Sequence, residues 1–304
     1  MTTSNSSYDL IIIDCGPAGI AAALELQKYQ SIPNFLIVEA RNRVGGRTYT
    51  DIHTFDSNQP VDLGARWIHH IPQAKRIVEE LRVNIKEYSS DKVDTCMLDA
   101  IRDKYEKIQD EQMRRLVDMN LAYIEHYEAS NLNELSAKSY LKSNGGIETC
   151  DLTLSIGLCS FIEQIVKRNN LPSQLNTIVT NIVIAIDKND PIRITTQDNR
   201  HYLSKYVLIT IPLDCLKAFS IKFISALPDW KQNAIDKMGF GLLNKIFIHF
   251  FQCHSHDQVL TLFVGGNLAG KLEQETDEEI IEQIFQCLKR IYSPIPKPTK
   301  WLIT

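Results

Sequence analysis

Residues 10 to 39 constrain the fold more than any other stretch of this chain. Leu10-Ile-Ile-Ile13 is a short, continuously apolar run, the pattern of a strand buried on both faces. The turn Asp14-Cys-Gly16-Pro-Ala-Gly19 follows, and then Ile20-Ala-Ala-Ala-Leu24-Glu-Leu26, rich in strong helix formers. Ser31, Pro33 and Asn34 punctuate the chain, and Phe35-Leu-Ile-Val38 reads as a second buried strand. Strand, helix and strand within about thirty residues make a βαβ unit, with parallel strands and a right-handed crossover. An α/β domain is the fold this segment demands.

The turn carries chemistry as well as topology. A Gly-x-Gly-x-x-Gly turn lets backbone approach a pyrophosphate, which then sits on the positive end of the following helix. Here Asp14 stands at the first glycine position, while Gly16 and Gly19 keep the close-approach and helix-packing positions. Glu39 ends the second strand about twenty residues later, where a carboxylate accepts hydrogen bonds from a ribose diol. In Glu39-Ala-Arg41-Asn-Arg43-Val-Gly45-Gly46-Arg47-Thr48 a glycine pair lies among arginines, a second anion-binding turn. Taken singly, these features also suit a tight turn in a plain α/β domain and an exposed basic loop.

Composition narrows the classes. The 304 residues, 44% hydrophobic and 23% charged, suit one large or two ordinary globular domains. A net charge of −4 offers no basic field for a phosphate backbone, so nucleic-acid binding is not expected. No apolar run reaches the roughly 18 residues of a membrane span. The opening Met-Thr-Thr-Ser-Asn-Ser-Ser lacks the basic start and apolar centre of a signal peptide. The 7 cysteines are scattered and form no C-x-x-C, which suits a reducing, cytoplasmic setting. Cys253-His254-Ser-His256-Asp257 has no second ligand pair at zinc spacing and reads as a polar loop, so no metal site is expected. There is no G-x-S-x-G elbow and no Walker turn.

Further along, residues 72 to 142 are charged and helix-rich, with Ile101, Tyr105, Ile108, Leu116, Tyr123 and Tyr127 at helical spacing. Asn144-Gly-Gly146 marks a turn. From Ile178 a β-meander is predicted: Ile178 to Ile186, Ile192 to Thr196, and Tyr206-Val-Leu-Ile209 as another buried strand that returns to the first domain. Helices are predicted from Leu227-Pro-Asp-Trp230 to Gly239 and from Asp277 to Tyr292, and a strand from Leu242 to Phe251. In that strand Lys245 shares a face with Phe247, His249 and Phe251, unusual company for a solvated lysine. A lysine near a strand start that snorkels to water is the competing reading.

In order along the chain, the two glycine turns, Val61-Asp-Leu-Gly64-Ala65-Arg66-Trp67-Ile68-His69, Leu175-Asn-Thr-Ile-Val179, Ile209-Thr-Ile-Pro212-Leu-Asp-Cys-Leu216-Lys217, Met238-Gly-Phe-Gly241-Leu-Leu-Asn-Lys245 and Pro298-Thr-Lys-Trp301 form a set. Together this set resembles the flavin-containing amine oxidase family, in its polyamine-oxidase and flavin-dependent histone-demethylase form. The resemblance implies a Rossmann-like, glutathione-reductase-type FAD-binding domain (residues 1–71 and 146–218) with a discontinuous α+β substrate domain (72–145 and 219–304). It implies oxidation of a small-molecule amine, polyamine-like, by hydride transfer to non-covalent FAD, with oxygen reduced to hydrogen peroxide. By the same resemblance Gly16, Ala18, Gly19, Arg41, Gly45, Gly46 and Arg47 serve the pyrophosphate region, and Glu39 the adenosine ribose. Gly64, Ala65, Arg66 and Trp67 would lie along the flavin and Val179 at the adenine. Lys245 aligns with the lysine that holds a water at the flavin. His69-His70 would be a turn beside it.

Four features depart from the family pattern. Asp14 replaces the first glycine, and Ile156-Gly157 stands for a glycine pair. The stretch between Phe251 and Val259 is short. The family's closing flavin-site segment has no counterpart after Trp301. A catalytically inactive or truncated relative, and a histone-lysine-demethylase-like activity, are therefore the alternative expectations.

Overall fold

The computed structural model of the chain describes residues 6–29, 34–55, 60–67, 95–143, 154–184, 187, 190–250, 259–292 and 294–304. From the N-terminus the elements are β1 (Ser6–Ile13), α1 (Pro17–Leu26), β2 (Phe35–Val38), β3 (Thr50–Asp51), β4 (Val61–Asp62), α2 (Met97–Tyr105), α3 (Glu111–Glu128), α4 (Ala137–Ser143) and α5 (Leu158–Arg168). Next come β5 (Ser173–Gln174), β6 (Val179–Val183), β7 (Ile192–Thr196), β8 (His201–Ile209), α6 (Leu213–Lys217), β9 (Lys222–Ile224) and α7 (Asp229–Lys237). β10 (Leu243–His249), β11 (Val259–Gly265), α8 (Gly266–Leu272), α9 (Asp277–Ile291) and β12 (Lys300–Ile303) follow. The chain divides into two compact units. One comprises Met1–Asp51, Pro60–Arg66 and Thr153–Phe240; the other comprises Ile52–Gln59, Trp67–Leu152 and Gly241–Thr304. Asn144 to Gly146, Ile68 to His70, Phe251 and the Cys253–Asp257 cluster lie outside the described residues.

The first unit is built on a seven-stranded sheet, ordered β5-β2-β1-β8-β7-β6-β9. β1 lies between β2 and β8 and is parallel to both. Its alternating side chains bury on opposite faces, which explains the unbroken apolar run. Ile12 packs with Ile20 and Ala23 of α1 and with Ile162 and Val166 of α5. Ile11 and Ile13 point the other way, into a cluster with Val38, Val179, Ile182 and Ile194. The expected meander is present, with β6, β7 and β8 successively antiparallel. Its return to β1 gives the α/β architecture read from the sequence. One expectation fails in detail: Tyr206 is 61% and Leu208 36% exposed, so the end of β8 is not buried on both faces. Val207 and Ile209 join the Ile11–Ile13 cluster, whereas the cluster that α1 and α5 form with β1 and β2 takes in no β8 side chain.

The second unit is α+β. β10 is the middle strand of an antiparallel sheet ordered β11-β10-β12. Ile246 and Ile248 pack against Ile280, Ile281 and Leu288 of α9, while Lys245, Phe247 and His249 occupy the opposite face. α9 has complete end signals: a reciprocal capping box between Thr276 and Glu279, three acidic residues in its first turn, and Lys289 and Arg290 in its last. α2, α3 and α4 share a smaller cluster around Met97, Leu132 and Ala137, joined by Ile101, Leu121 and Ile124. Of the residues expected to form an apolar stripe, Leu116, Tyr123 and Tyr127 are instead 47%, 64% and 64% exposed. Helical spacing finds a stripe but not which of two neighbouring stripes is covered; Leu121 and Ile124 are the ones that pack.

Close approaches identify the glycines that the fold requires. A Cβ on Gly19 would lie 2.2 Å from the Asp14 carbonyl oxygen, whereas one on Gly239 would meet nothing within 4 Å. Gly19→Ala is expected to destabilise the chain by about 3 kcal/mol in urea unfolding, and Gly239→Ala by no more than about 0.5 kcal/mol.

Candidate functional site

β1 delivers the chain to a turn closed by a buried carboxylate. Glu39, 3% exposed, accepts the Cys15 amide on Oε2 and the Arg41 amide on Oε1, each at 2.8 Å. The loop before β6 is attached to the same place, since the Thr177 amide donates to the Glu39 carbonyl at 2.7 Å and the Asn176 amide to Arg41 at 2.9 Å. At the head of α1, Gly16 is the N-cap and supplies no capping side chain, so the first turn has no side-chain cap hydrogen bond. Gly16 and Gly19 are buried and Ala18 is exposed.

The second glycine turn folds back onto the first. The Gly45 amide donates to the Cys15 carbonyl at 2.8 Å, and a Cβ on Gly46 would sit 3.3 Å from the Gly16 Cα. Gly45 and Gly46 have φ of +98° and +56°, which favours glycine at both. Arg41 donates to the Gly46 carbonyl at 2.9 Å, and Arg43 to the same carbonyl at 3.0 Å while its guanidinium lies over the Tyr49 ring. Arg43 thus braces the loop, a role spacing did not reveal. Arg47 is exposed. Gly64 has a packing reason for being glycine: a Cβ there would be 1.6 Å from the Arg47 carbonyl oxygen. Ala65 is exposed, Arg66 half-buried, and Val179 is 5% exposed within the Ile11–Val38 cluster.

Thr50 and Asp62, which the sequence did not flag, fix the start of α5. Asp62 Oδ1 accepts the Leu158 amide at 3.0 Å and the Thr50 hydroxyl, and Thr50 Oγ1 accepts the Cys159 amide at 3.1 Å. Gly157, with φ of +77°, carries the chain past Thr50, because a Cβ there would fall 2.2 Å from Thr50 Cγ2. The replacement of a glycine pair by Ile156-Gly157 keeps the glycine this crossing needs.

Asp14 alters the electrostatics of the turn. Its φ is +91°, a glycine-like conformation, and its carboxyl points back over Gly16, where a Cβ would lie 2.8 Å from Oδ2. Burial and then the neighbouring Glu39 carboxylate, which also hydrogen-bonds it, push the Asp14 carboxyl up to about 6, against the pull of the Gly16 amide and Arg41. The Cys15 thiol, buried beside both carboxylates, is pushed up to about 12 and stays a neutral thiol.

Lys245 and Trp67 come together in the second unit. Lys245 is 6% exposed and sits in register with Phe263 across the β10–β11 pair. Its Nζ lies 5.4 Å from the Phe263 ring centre and 5.7 Å from that of Trp67, and the two rings stack at 5.6 Å. Thr304 fixes the Lys245 backbone through its hydroxyl, 2.8 Å from the Lys245 nitrogen. His126 of α3 meets Phe263 edge-on at 5.6 Å, and burial holds its imidazole below the usual value. His126 had no sequence signal. The result is a buried amine against aromatic faces, an environment that stabilises a cation through ring quadrupoles and limits its exposure to water.

The glycine turns, the uncapped helix start and the anchored Glu39 fit a dinucleotide; beyond the Cys15 and Arg41 amides and Asp14, the Glu39 carboxylate keeps lone-pair capacity for a ribose hydroxyl. Comparison with known proteins decides which. The family model described as flavin containing amine oxidoreductase matches residues 17–99 and 99–258.

The chain belongs to that family.

FAD is accordingly its cofactor, and the protein is an oxidoreductase. It is 24% identical to polyamine oxidase 4 of Oryza sativa subsp. japonica, over 98% of this chain and 76% of that protein. It is 25% identical to the lysine-specific histone demethylase 1 homolog 3 of Arabidopsis thaliana, over 79% of this chain and 20% of that one. Among solved structures, wild-type putrescine oxidase bound to putrescine has the same fold, with a TM-score of 0.72 at 15% identity, covering 98% of this chain and 85% of that one.

The raised Asp14 carboxyl links stability to pH. Because its folded value near 6 lies above that of an unfolded aspartate, its favourable contribution is complete below about pH 4 and is lost as pH rises through 6. The cofactor-free chain is expected to lose on the order of 2 kcal/mol between pH 4.5 and 7.5 from this group. Asp14→Asn, which tolerates the same φ, should flatten that part of the profile in urea titrations across pH.

Proposed function

We propose that the chain oxidises a small, polyamine-like amine with non-covalently held FAD and returns the electrons to oxygen. The observation that carries this reading is Lys245, buried against Trp67 and Phe263 inside a flavin amine oxidoreductase. The chemistry FAD supplies when bound is two-electron acceptance from the amine's α C–H, with those electrons passed to oxygen as hydrogen peroxide.

The protein's share is binding and electrostatics. In this reading the start of α1, with Gly16, Ala18 and Gly19, and the second turn, with Gly45 and Gly46, hold the diphosphate. Arg41 and Arg47 add positive charge there, Glu39 accepts from the ribose, and the β6 start at Val179 borders the adenine through its backbone, its side chain being committed to the core. Gly64, Ala65, Arg66 and Trp67 border the flavin. Lys245 holds a water by hydrogen bond and keeps a positive charge at hand, which favours reduction of oxygen and positions water for hydrolysis of the imine product. Trp67 and Phe263 shield that lysine from bulk water. The free thiols Cys15, Cys96, Cys159, Cys215 and Cys287 support the cytoplasmic setting.

Purified protein should be yellow and should bleach anaerobically on adding spermine or N-acetylspermine. Lys245→Met should keep the colour and lower turnover by about a hundredfold or more. A yellow protein that no amine bleaches would support the inactive relative, bleaching only by a methylated histone peptide the demethylase reading, and a colourless one would sink the enzyme reading.

A further inference from the structure

The diphosphate cradle already contains an anionic group of the chain's own. Where the dinucleotide turn has a glycine, Asp14 adopts a glycine-like φ of +91° and swings its carboxyl into the space between the two glycine turns. A Cβ on Gly16 would lie 2.8 Å from Asp14 Oδ2, and one on Gly46 would lie 3.7 Å from Oδ1. The carboxyl lies beside the backbone of Gly16 at the mouth of α1 and faces Glu39, with which it interacts electrostatically. It therefore stands where an incoming diphosphate is expected.

We propose that Asp14 gates the cofactor site by protonation: its carboxylate competes with the diphosphate of FAD for the cradle, and binding is coupled to uptake of one proton by Asp14. The proposal rests on the assignment of the glycine turns as the FAD site.

The charged and titratable groups around Asp14 are few enough to test this. Glu39, at the end of β2, faces it. Arg41, on the loop after β2, carries a fixed positive charge that draws Asp14 toward its ionised form. Cys15 on the same turn and Cys215 on α6 both feel Asp14, and both thiols are held above their ordinary value, chiefly by burial. Asp214, beside Cys215, adds a further carboxylate on that side. Both thiols are held above their ordinary value and the diphosphate of FAD keeps its charge, so Asp14 is the group that exchanges the proton. An anion brought against it favours protonated Asp14, which donates to Glu39 and no longer opposes the incoming charge. Arg41 then faces the diphosphate with one fewer carboxylate competing for it.

The test is the dissociation constant of FAD from the cofactor-free full chain, read by quenching of flavin fluorescence at half-unit steps from pH 5.5 to 8.5. For the wild type it should rise by up to about tenfold per pH unit above pH 6. Asp14→Asn should give a flat profile and bind at least about tenfold more tightly than wild type at pH 8, as should Asp14→Gly, which restores the glycine of the turn. Thermal unfolding of each variant checks that it is folded. A flat wild-type profile, or an Asp14→Asn profile parallel to it, overturns the gate while leaving the FAD site in place. Absence of FAD binding by wild type and folded variants at every pH overturns the assignment of the site, and the gate falls with it.

Discussion

The hydrogen bonds from the Cys15 and Arg41 amides to the Glu39 carboxylate hold together two chain segments that everything else at the site depends on. One oxygen fixes the turn after β1 and the other fixes the loop after β2. Because β1 is locked on both faces by separate apolar clusters, the turn has no freedom to slide along the strand. The second glycine turn then docks through the Gly45 amide, and the start of β6 through the Thr177 amide. A buried carboxylate is costly unless its lone pairs are used, and here they are used to align backbone from two places in the sequence, the turn after β1 and the loop after β2.

Much of the first unit was legible because its signals are local. An apolar run, a glycine turn and a second apolar run specify β1, α1 and β2 without reference to the rest of the chain, and the family motifs follow in order. The face of β10 was legible too, since strand alternation alone puts Lys245 with Phe247 and His249, and all three are buried. What escaped depends on partners distant in sequence. Arg43 looked like any basic loop residue until its guanidinium was seen to span the turn. Thr50 and Asp62 act on a helix start about a hundred residues away, at Leu158 and Cys159. His126 meets Phe263 only because α3 crosses β11, and helical spacing alone chose the wrong stripe of α3 for the core.

Asp14 was legible as an anomaly but not as a geometry. The sequence places a carboxylate where a glycine belongs; a carboxylate that turned outward would have been inert. The positive φ and the direction of the side chain, over Gly16 and toward Glu39, make it part of the site's electrostatics. Local rules tend to be broken at functional positions, and this one is broken inside the cofactor turn itself.

The register of β10 has a further implication for how this unit tolerates change. Ile246 and Ile248 serve the helix side, and Lys245, Phe247 and His249 the aromatic side, so the strand has no idle face. Inserting or deleting one residue inside it would exchange the two sets, putting an ammonium group under α9 and aliphatic side chains where the lysine stood. Length variation in descendants of this chain should therefore accumulate in the connections on either side of β10, while the strand itself evolves by substitution alone.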